Sequence, residues 1–169
     1  MNKNKILDYP LLVFIAVIYL IMYIVQYTDG VFEKDLGFPQ LMLPASIFIG
    51  MYFGDKLGAV YGLFIGAAVD AVSANVICYN TIFMLLAGYF SGVLVQFIIN
   101  NNFRSSIIVS IFFSLIYYFG MWIINGFDKL TLSLNLIPSF FSTVFFSLIL
   151  YLLLGLLIKF RKKQLSNRN

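Results

Sequence analysis

Few residues of this 169-residue chain could do chemistry, and the first among them is Asp70, which follows the apolar run GAVYGLFIGAAV from Gly58. A carboxylate at mid-membrane costs about 2.5–3.5 kcal/mol on insertion scales, which makes it a functional candidate by default. Asp70 lies about one helical turn before Ala74, so it can also accept hydrogen bonds from the next segment, near Asn75 or Asn80. Two interpretations stay open. The favoured one is a structural role at this turn, and the other is a polar contact of Asp70 and Asn80 with a ligand or partner.

Catalytic and metal-binding groups are scarce elsewhere in the sequence. There is no histidine, the commonest general base and metal ligand, and the single cysteine, Cys78, allows no internal disulfide. Paired catalytic carboxylates, G-x-S-x-G, the Walker A loop and H-E-x-x-H are also missing. We therefore expect a protein that is not an enzyme and that binds no cofactor and no metal.

Glycines recur at every fourth position in two parts of the chain. Residues four apart share one face of a helix, and a row of glycines lets another backbone approach closely. Packing within the subunit is the favoured interpretation, and a groove for a partner's helix is the alternative. Gly54, beside Asp55 and Lys56, fits a turn. The other members of the two rows are Gly50, Gly58, Gly62 and Gly66, and then Gly88 and Gly92.

The composition predicts an integral membrane protein. Hydrophobic residues make up 62% of the chain and charged residues 11%, with a mean hydropathy of +0.95. A soluble domain of this length could not bury so much apolar surface. The apolar runs are continuous rather than alternating, so the spans are expected to be helices in an all-α, polytopic fold. The net charge of +4 does not indicate nucleic-acid binding.

Six apolar segments, divided by polar and turn-forming breaks, predict six transmembrane helices in a single domain. The second segment is short and contains Pro39 and Pro44, so it is either a kinked helix or a re-entrant hairpin. One helix covering segments two and three would run about 51 Å, too long for a bilayer. The predicted spans are Tyr9–Tyr27, Phe38–Phe53, Leu57–Ala74, Tyr79–Ile99, Ser105–Ile124 and Leu134–Ile158.

Charge distribution predicts the orientation of these spans. With six spans and both termini in the cytoplasm, only Lys34 and Lys129 of the 11 basic residues lie outside. This agrees with the positive-inside rule. The four cations of the segment KFRKKQ are expected to fix the topology and to contact anionic lipid, with a cytoplasmic partner as the alternative. They are Lys159, Arg161, Lys162 and Lys163.

Together these features resemble the MreD family of bacterial rod shape-determining membrane proteins. The resemblance rests on a proline-led second span (FPQLMLP from Phe38), the glycine spacing with an acid near the end of span three (GAVYGLFIGAAVD from Gly58), and AGYFSG from Ala87. The end of span one, Gln26-Tyr27-Thr28, is also similar. One departure is the stretch 73–79, which lacks the glycine that the family often has there.

The resemblance implies a scaffold of the cell elongation machinery in the cytoplasmic membrane. MreD-like proteins associate with MreC. They help to couple the peptidoglycan synthase, RodA with a class B penicillin-binding protein, to cytoplasmic MreB filaments. The resemblance implies binding rather than catalysis, with the glycine face and Asp70 as candidate contact sites for a partner's transmembrane helix.

A second resemblance is to the substrate-binding S components of energy-coupling factor vitamin transporters, which are also small six-helix bundles. In that alternative, Asp70, Asn80 and nearby aromatic residues would line a ligand pocket. Span one of an S component would offer small residues to a coupling subunit. Here span one has Ala16 among bulky neighbours, which favours the MreD family.

Overall fold

The computed structural model describes residues 9–28, 39–73, 78–97, 103–124 and 136–166, and these residues form an all-α bundle. Each of the six predicted segments contains a helix, so the all-α prediction is confirmed for this part of the chain. The helices are α1 (Tyr9–Tyr27), α2 (Met42–Phe53), α3 (Asp55–Ser73), α4 (Tyr79–Phe97), α5 (Phe103–Ile124) and α6 (Ile137–Ser166).

Successive helices run in opposite directions, so the bundle has two ends of different character. We call the end that carries Gln26, Asp70 and Asn80 the polar end, and the end that carries Lys56 and Arg104 the basic end. The last helix, α6, continues eight residues past the predicted end of its span. Residues 159–166 are mostly strong helix formers with no glycine or proline, so nothing in them stops the helix.

The centre of the bundle is α2, a helix of 12 residues that contacts α1, α3, α4, α5 and α6. Every residue from Met42 to Met51 is buried, as expected for a helix that is apolar all round. The helix is uninterrupted, because Pro44 lies in its first turn, where a missing backbone N–H is tolerated. At about 18 Å it is shorter than the hydrocarbon core of a bilayer, which is about 30 Å thick.

A break at Gly54 separates α2 from α3, as expected because one helix covering both segments would be too long for a bilayer. Gly54 has φ 103°, a left-handed conformation that favours glycine. Its N–H donates to the carbonyl of Gly50 at 3.0 Å. The chain therefore reverses within one residue, and α2, α3 and α4 form the most closely packed part of the bundle.

The other closely packed pair is α5 and α6, and each helix carries three buried hydroxyl residues and a tyrosine at four-residue spacing. Tyr118 of α5 donates to the carbonyl of Ser139 at 3.1 Å, near the start of α6. At the opposite end Tyr151 of α6 lies beside Ser106, near the start of α5. The repeat is Ser106, Ser110, Ser114 and Tyr118 on α5, and Ser139, Thr143, Ser147 and Tyr151 on α6.

Two helical stretches, 79–97 and 104–124, are long and apolar enough to cross a membrane by themselves. Shorter apolar helical stretches cover 13–27, 42–53 and 137–153. Large apolar side chains also project outward from the bundle, such as Phe14 (51% exposed) on α1, Phe64 (68%) on α3 and Phe112 (57%) on α5. The core and the outer surface are therefore both apolar, and the polar side chains are concentrated between helices.

Candidate functional site

Asp70, near the end of α3, supplies the hydrogen-bond acceptors for the first turn of α4. One carboxylate oxygen, Oδ1, accepts from the backbone N–H of Asn80 at 3.3 Å and from its Nδ2 at 2.8 Å. The other, Oδ2, accepts from the backbone N–H and the hydroxyl of Thr81 at 2.7 and 2.6 Å. The first backbone N–H groups of a helix have no partner within the helix, and they favour negative charge. Asp70 therefore caps α4 from a neighbouring helix.

This geometry leaves the Asp70 carboxylate little capacity for a ligand. An ionised carboxylate has about four lone-pair sites, and four donors of the same chain already occupy them. Asn80, the second polar residue singled out from the sequence, is one of these donors and is 2% exposed. Asn75, the other donor considered for Asp70, lies outside the described residues.

Tyr117 extends this cluster from α3 and α4 to α5. Its hydroxyl donates to Oδ1 of Asn80 at 2.6 Å, and its ring is 1% exposed. In return the hydroxyl of Tyr79, the first residue of α4, donates to the backbone carbonyl of Tyr117 at 2.8 Å. Two hydrogen bonds of opposite direction thus join the start of α4 to α5.

A second cluster at the polar end joins α1, α6 and α5 to the residues that lead into α2. Oε1 of Gln26 accepts from the backbone N–H of Leu41 at 3.0 Å, and Nε2 of Gln26 donates to Oε1 of Gln40 at 3.3 Å. The backbone N–H of Gln40 donates to Oγ1 of Thr143 at 2.9 Å, which lies 2.7 Å from the hydroxyl of Tyr118. Because Tyr118 donates its proton to Ser139, Thr143 is the donor in that pair.

Tyr117 and Tyr118 are consecutive residues of α5 with ring centroids 5.2 Å apart, so the backbone of α5 joins the two hydrogen-bonded clusters. We call the two joined clusters the interhelical polar chain. Its members come from all six helices or from the residues that lead into them, and within it each side chain is hydrogen-bonded to another helix. It comprises Gln26, Gln40, Thr143, Tyr118, Tyr117, Asn80 and Asp70.

The glycines of α3 face the backbone of α4. A Cβ atom added at Gly62 would lie 2.7 Å from the carbonyl carbon of Met84, and one at Gly66 would lie 2.5 Å from Cα of Thr81. Real Cβ atoms essentially never approach a non-bonded heavy atom of another part of the chain within 3.0 Å. A side chain at either position would therefore force the two helices apart.

The remaining glycines of the two rows meet in the same three-helix packing. A Cβ at Gly58 would lie 2.5 Å from Cα of Gly50 on α2, and it would also meet the carbonyl of Gly88 on α4. A Cβ at Gly92 would lie 2.5 Å from Cα of Asp55 at the start of α3. All five of the singled-out glycines, 58, 62, 66, 88 and 92, are buried, and α2, α3 and α4 occupy the space around them.

At the basic end, Lys56 and Arg104 are exposed at the starts of α3 and α5. Asp55 accepts a hydrogen bond from Nε2 of Gln96 at 3.0 Å, which holds the pKa of Asp55 below its usual value. Lys159, Arg161, Lys162 and Lys163 all belong to the last turns of α6. They extend that helix rather than forming an irregular tail.

Apolar grooves open on the outer surface of the part of the bundle that the structure describes. A groove of about 350 Å³ lies between α1 and α3, with Leu20 and Phe64 among its lining residues. A second, of about 400 Å³, lies between α5 and α6. Another, of about 390 Å³, lies between α4 and α5 beside Phe90 and Phe112. Each lining is almost wholly apolar, so these grooves offer contact area and no reactive group.

The chemistry of the site is therefore that of helix positioning. Among the described residues, no group of three or more His, Cys, Asp or Glu side chains is placed to hold a metal ion. Sequence reasoning identified Asp70, Asn80 and the glycines but missed Tyr117, Tyr118, Thr143 and the contacts of Gln26. The four-residue spacing of hydroxyl residues on α5 and α6 is the signal that points to Thr143 and Tyr118.

Comparison with known proteins gives one match. The family model described as rod shape-determining protein MreD matches residues 7–161 of the chain. No curated protein and no solved structure matches the chain.

Proposed function

The chain belongs to the MreD family of rod shape-determining proteins, and from that premise we propose that it is a non-catalytic membrane scaffold of the bacterial elongation machinery. The family is a membrane family with a role in cell shape, and two helices of this chain are long and apolar enough to cross a bilayer. We also propose that six helices cross the cytoplasmic membrane, with both termini in the cytoplasm.

The interhelical polar chain is the observation that carries the scaffold proposal. Its two clusters form hydrogen bonds between α3, α4 and α5 and between α1, α5, α6 and the residues before α2, so they hold the helices in place. A protein that must present fixed surfaces to several partners needs such a rigid interior more than it needs an open pocket.

Two features support the six-span arrangement. The outward faces of α1, α3 and α6 carry large exposed apolar side chains, such as Leu20 (60% exposed), Phe64 (68%) and Phe141 (66%). Such faces suit contact with lipid and not with water. The exposed cations Lys56 and Arg104 lie at the same end of the bundle as the end of α6, in agreement with the positive-inside rule.

We propose MreC, RodA and a class B penicillin-binding protein as the partners, with MreB reached indirectly or through cytoplasmic loops. Because α4 covers the glycine face of α3 and donors of the same chain fill Asp70, partner helices would contact the outward-facing surface. We propose that the glycines pack the subunit itself and that Asp70 and Asn80 fix the turn between α3 and α4.

The test is capture of the tagged, full-length protein from its native membrane in a gentle detergent, with co-purified proteins identified by mass spectrometry. Recovery of MreC, RodA or a penicillin-binding protein above the level found with an unrelated tagged membrane protein is the expected result. Recovery of paired ATPases with a coupling membrane subunit would overturn the proposal in favour of an S component.

Site-specific photo-crosslinking tests the location of the partner surface. A photoreactive residue at exposed Phe64, Phe90 or Phe141 should crosslink to a partner from at least one of the three positions. The matched control is Val69, which is 0% exposed on α3 and should give no intermolecular product. A partner crosslink from position 69 alone would contradict an outward-facing surface.

A further inference from the structure

A stretch of 13 residues occurs twice in the chain, once on α5 and once on α6. Residues 106–118 read SIIVSIFFSLIYY and residues 139–151 read SFFSTVFFSLILY. The two units are identical at seven of 13 positions, and both contain the run FFSLI. Because α5 and α6 run in opposite directions, the two units form an inverted repeat, with an approximate twofold axis in the plane of the membrane.

The structure places counterpart residues of the two units in matching surroundings. Tyr118 of α5 donates to the carbonyl of Ser139, the first residue of the unit on α6, at 3.1 Å. Its counterpart Tyr151 lies beside Ser106, the first residue of the unit on α5. The serine, threonine and tyrosine positions that the two units share are buried in both. The twofold relation therefore holds for the packing as well as for the sequence.

The outward side of this helix pair is one apolar surface with two matching halves. Counterparts have similar exposed fractions, 64% for Ile108 and 66% for Phe141, and 57% for Phe112 and 60% for Phe145. Residues of both helices line a common groove, so the two halves are continuous. We call this surface the pair face. It comprises Ile108, Phe112, Leu115 and Phe119 on α5, and Phe141, Phe145, Leu148 and Leu152 on α6.

The inverted repeat makes the pair face complementary to a second copy of itself. Two copies that span the membrane in the same direction can be related by a twofold axis along the membrane normal, and twofold dimers are the commonest oligomers. When two pair faces meet, that axis sets α5 of one copy against α6 of the other. These two helices are antiparallel and carry the same outward pattern, so the four helices form an antiparallel bundle.

The register inside one copy predicts which residues meet between copies. Ser106 lies beside Tyr151. Six residues along each helix from that contact, Phe112 and Phe145 have the same height in the membrane. A twofold axis along the membrane normal leaves heights unchanged. Phe112 of one copy therefore lies level with Phe145 of the other, at the centre of the two units.

The pair face is large enough for a stable dimer. Seven of its eight side chains are 54–66% exposed. At about 200 Å² for a fully accessible side chain of this size, they offer about 800 Å² per copy, which is what each partner contributes to a standard interface. Neither unit of the repeat contains a charged residue, so close packing of two pair faces in lipid would bury no charge.

We propose that the pair face joins two copies of this chain in the membrane as a twofold-symmetric homodimer. The proposal rests on the proposed orientation of α5 and α6 across the bilayer, but it does not depend on which other proteins the chain binds. The groove between α1 and α3 belongs to other helices, so it stays available to those partners.

The experiment is disulfide crosslinking between two differently tagged full-length copies in native membranes, with Cys78→Ser in both. One copy carries Phe112→Cys and the other carries Phe145→Cys. Their crosslinked product should exceed the products of either variant with itself by about fivefold, because a disulfide forms only over a short separation and identical positions lie diagonally across the bundle. Phe64→Cys, at an exposed position of α3, is the matched control and should give no crosslinked dimer.

A second readout is the number of copies per complex, measured by native mass spectrometry of the full-length protein released from lipid bilayers. We expect two copies for the wild type. The double variant Phe112→Ala with Phe145→Ala should lower the dimer-to-monomer ratio about fivefold, because it removes packing contacts at the centre of the interface. Its thermal midpoint should stay near that of the wild-type monomer, since both side chains point away from the core.

Three outcomes would overturn the proposal. A monomeric wild type would mean that lipid alone covers the pair face. Crosslinking from Phe64→Cys as strong as that between positions 112 and 145 would indicate random collision of copies. A disulfide from position 112 or 145 to a different protein, in place of the second copy, would make the pair face a surface for that partner. Partner capture is a separate readout, so failure here leaves the scaffold proposal standing.

Discussion

The hydroxyl of Tyr117 on α5 donates a 2.6 Å hydrogen bond to the side-chain oxygen of Asn80 on α4. Asn80 in turn donates to Asp70 on α3 at 2.8 Å, so two successive side-chain bonds join three helices. All three residues are buried. A buried polar group that loses its partner cannot form a hydrogen bond with water instead. The stability of each of these three side chains in its buried position therefore depends on its hydrogen bond to the next.

Tyr117→Phe should lower the free energy of unfolding by about 1–3 kcal/mol, because Oδ1 of Asn80 loses its donor in a buried site. Thermal unfolding in detergent, followed by size-exclusion chromatography, measures the change. The matched control is Tyr89→Phe, at a tyrosine that is 40% exposed on α4 and should shift the midpoint little. In a double-mutant cycle with Asn80→Ala the two effects should be non-additive. Additive effects would mean that the two side chains do not stabilise each other.

Asp70→Asn should destabilise the protein by about 0.5–2 kcal/mol, the range for losing a helix cap. The amide keeps one acceptor oxygen but places an N–H₂ group where Thr81 now donates twice, so one side of the cap becomes repulsive. The measurement is the thermal midpoint. Asp55→Asn is the control, because Asp55 lies at the basic end and bonds to the side chain of exposed Gln96. A larger loss in Asp55→Asn than in Asp70→Asn would contradict the capping role.

How far the sequence predicts this arrangement depends on the separation of the residues in the chain. Asp70 and Asn80 are 10 residues apart, at facing ends of consecutive helices, so their contact follows once the two segments are known. The glycine spacing similarly predicts a face for close backbone approach. It does not say which helix fills that face, since a neighbour in the subunit and a partner's helix satisfy the same spacing.

The rest of the interhelical polar chain depends on contacts that local patterns do not encode. Gln40 and Thr143 are 103 residues apart, and their contact requires α6 to pack beside the start of α2. Two short-range features were nevertheless readable: the four-residue repeat of hydroxyl residues on α5 and α6, and the apolar character of α2 on all sides. The repeat indicates one polar face on each helix, and the apolar character indicates a helix enclosed by the others.

Gln26→Met should loosen the start of α2 without unfolding the bundle. The substitution keeps the volume but removes the acceptor of the Leu41 N–H and the donor to Gln40. Hydrogen exchange at the Leu41 amide should become about threefold to tenfold faster, as expected from the loss of one hydrogen bond. Gln96→Met, at an exposed glutamine of the basic end, should leave that amide unchanged. Unaltered exchange in Gln26→Met would show that Gln26 does not hold α1 to α2.

Gly62→Leu and Gly66→Leu should have the largest effect of the substitutions considered. Overfilling a packed core costs about 1–3 kcal/mol when side chains can move aside. Here the new atoms would meet the backbone of Met84 and Thr81, which cannot move without displacing α4. The measurement is the fraction of monodisperse protein after extraction in a gentle detergent, and it should fall well below that of Asp70→Asn.

Ala67→Leu provides the control for those two variants, because Ala67 lies on the same helix with its side chain exposed. It places a leucine at the position next to Gly66 but directs it toward lipid, so it should extract like the wild type. If all three leucine variants behaved alike, bulk on α3 in general would be the cause. If Gly62→Leu and Gly66→Leu instead remained monodisperse and lost only partner capture, the glycine face would be a partner surface that α4 covers in the free protein.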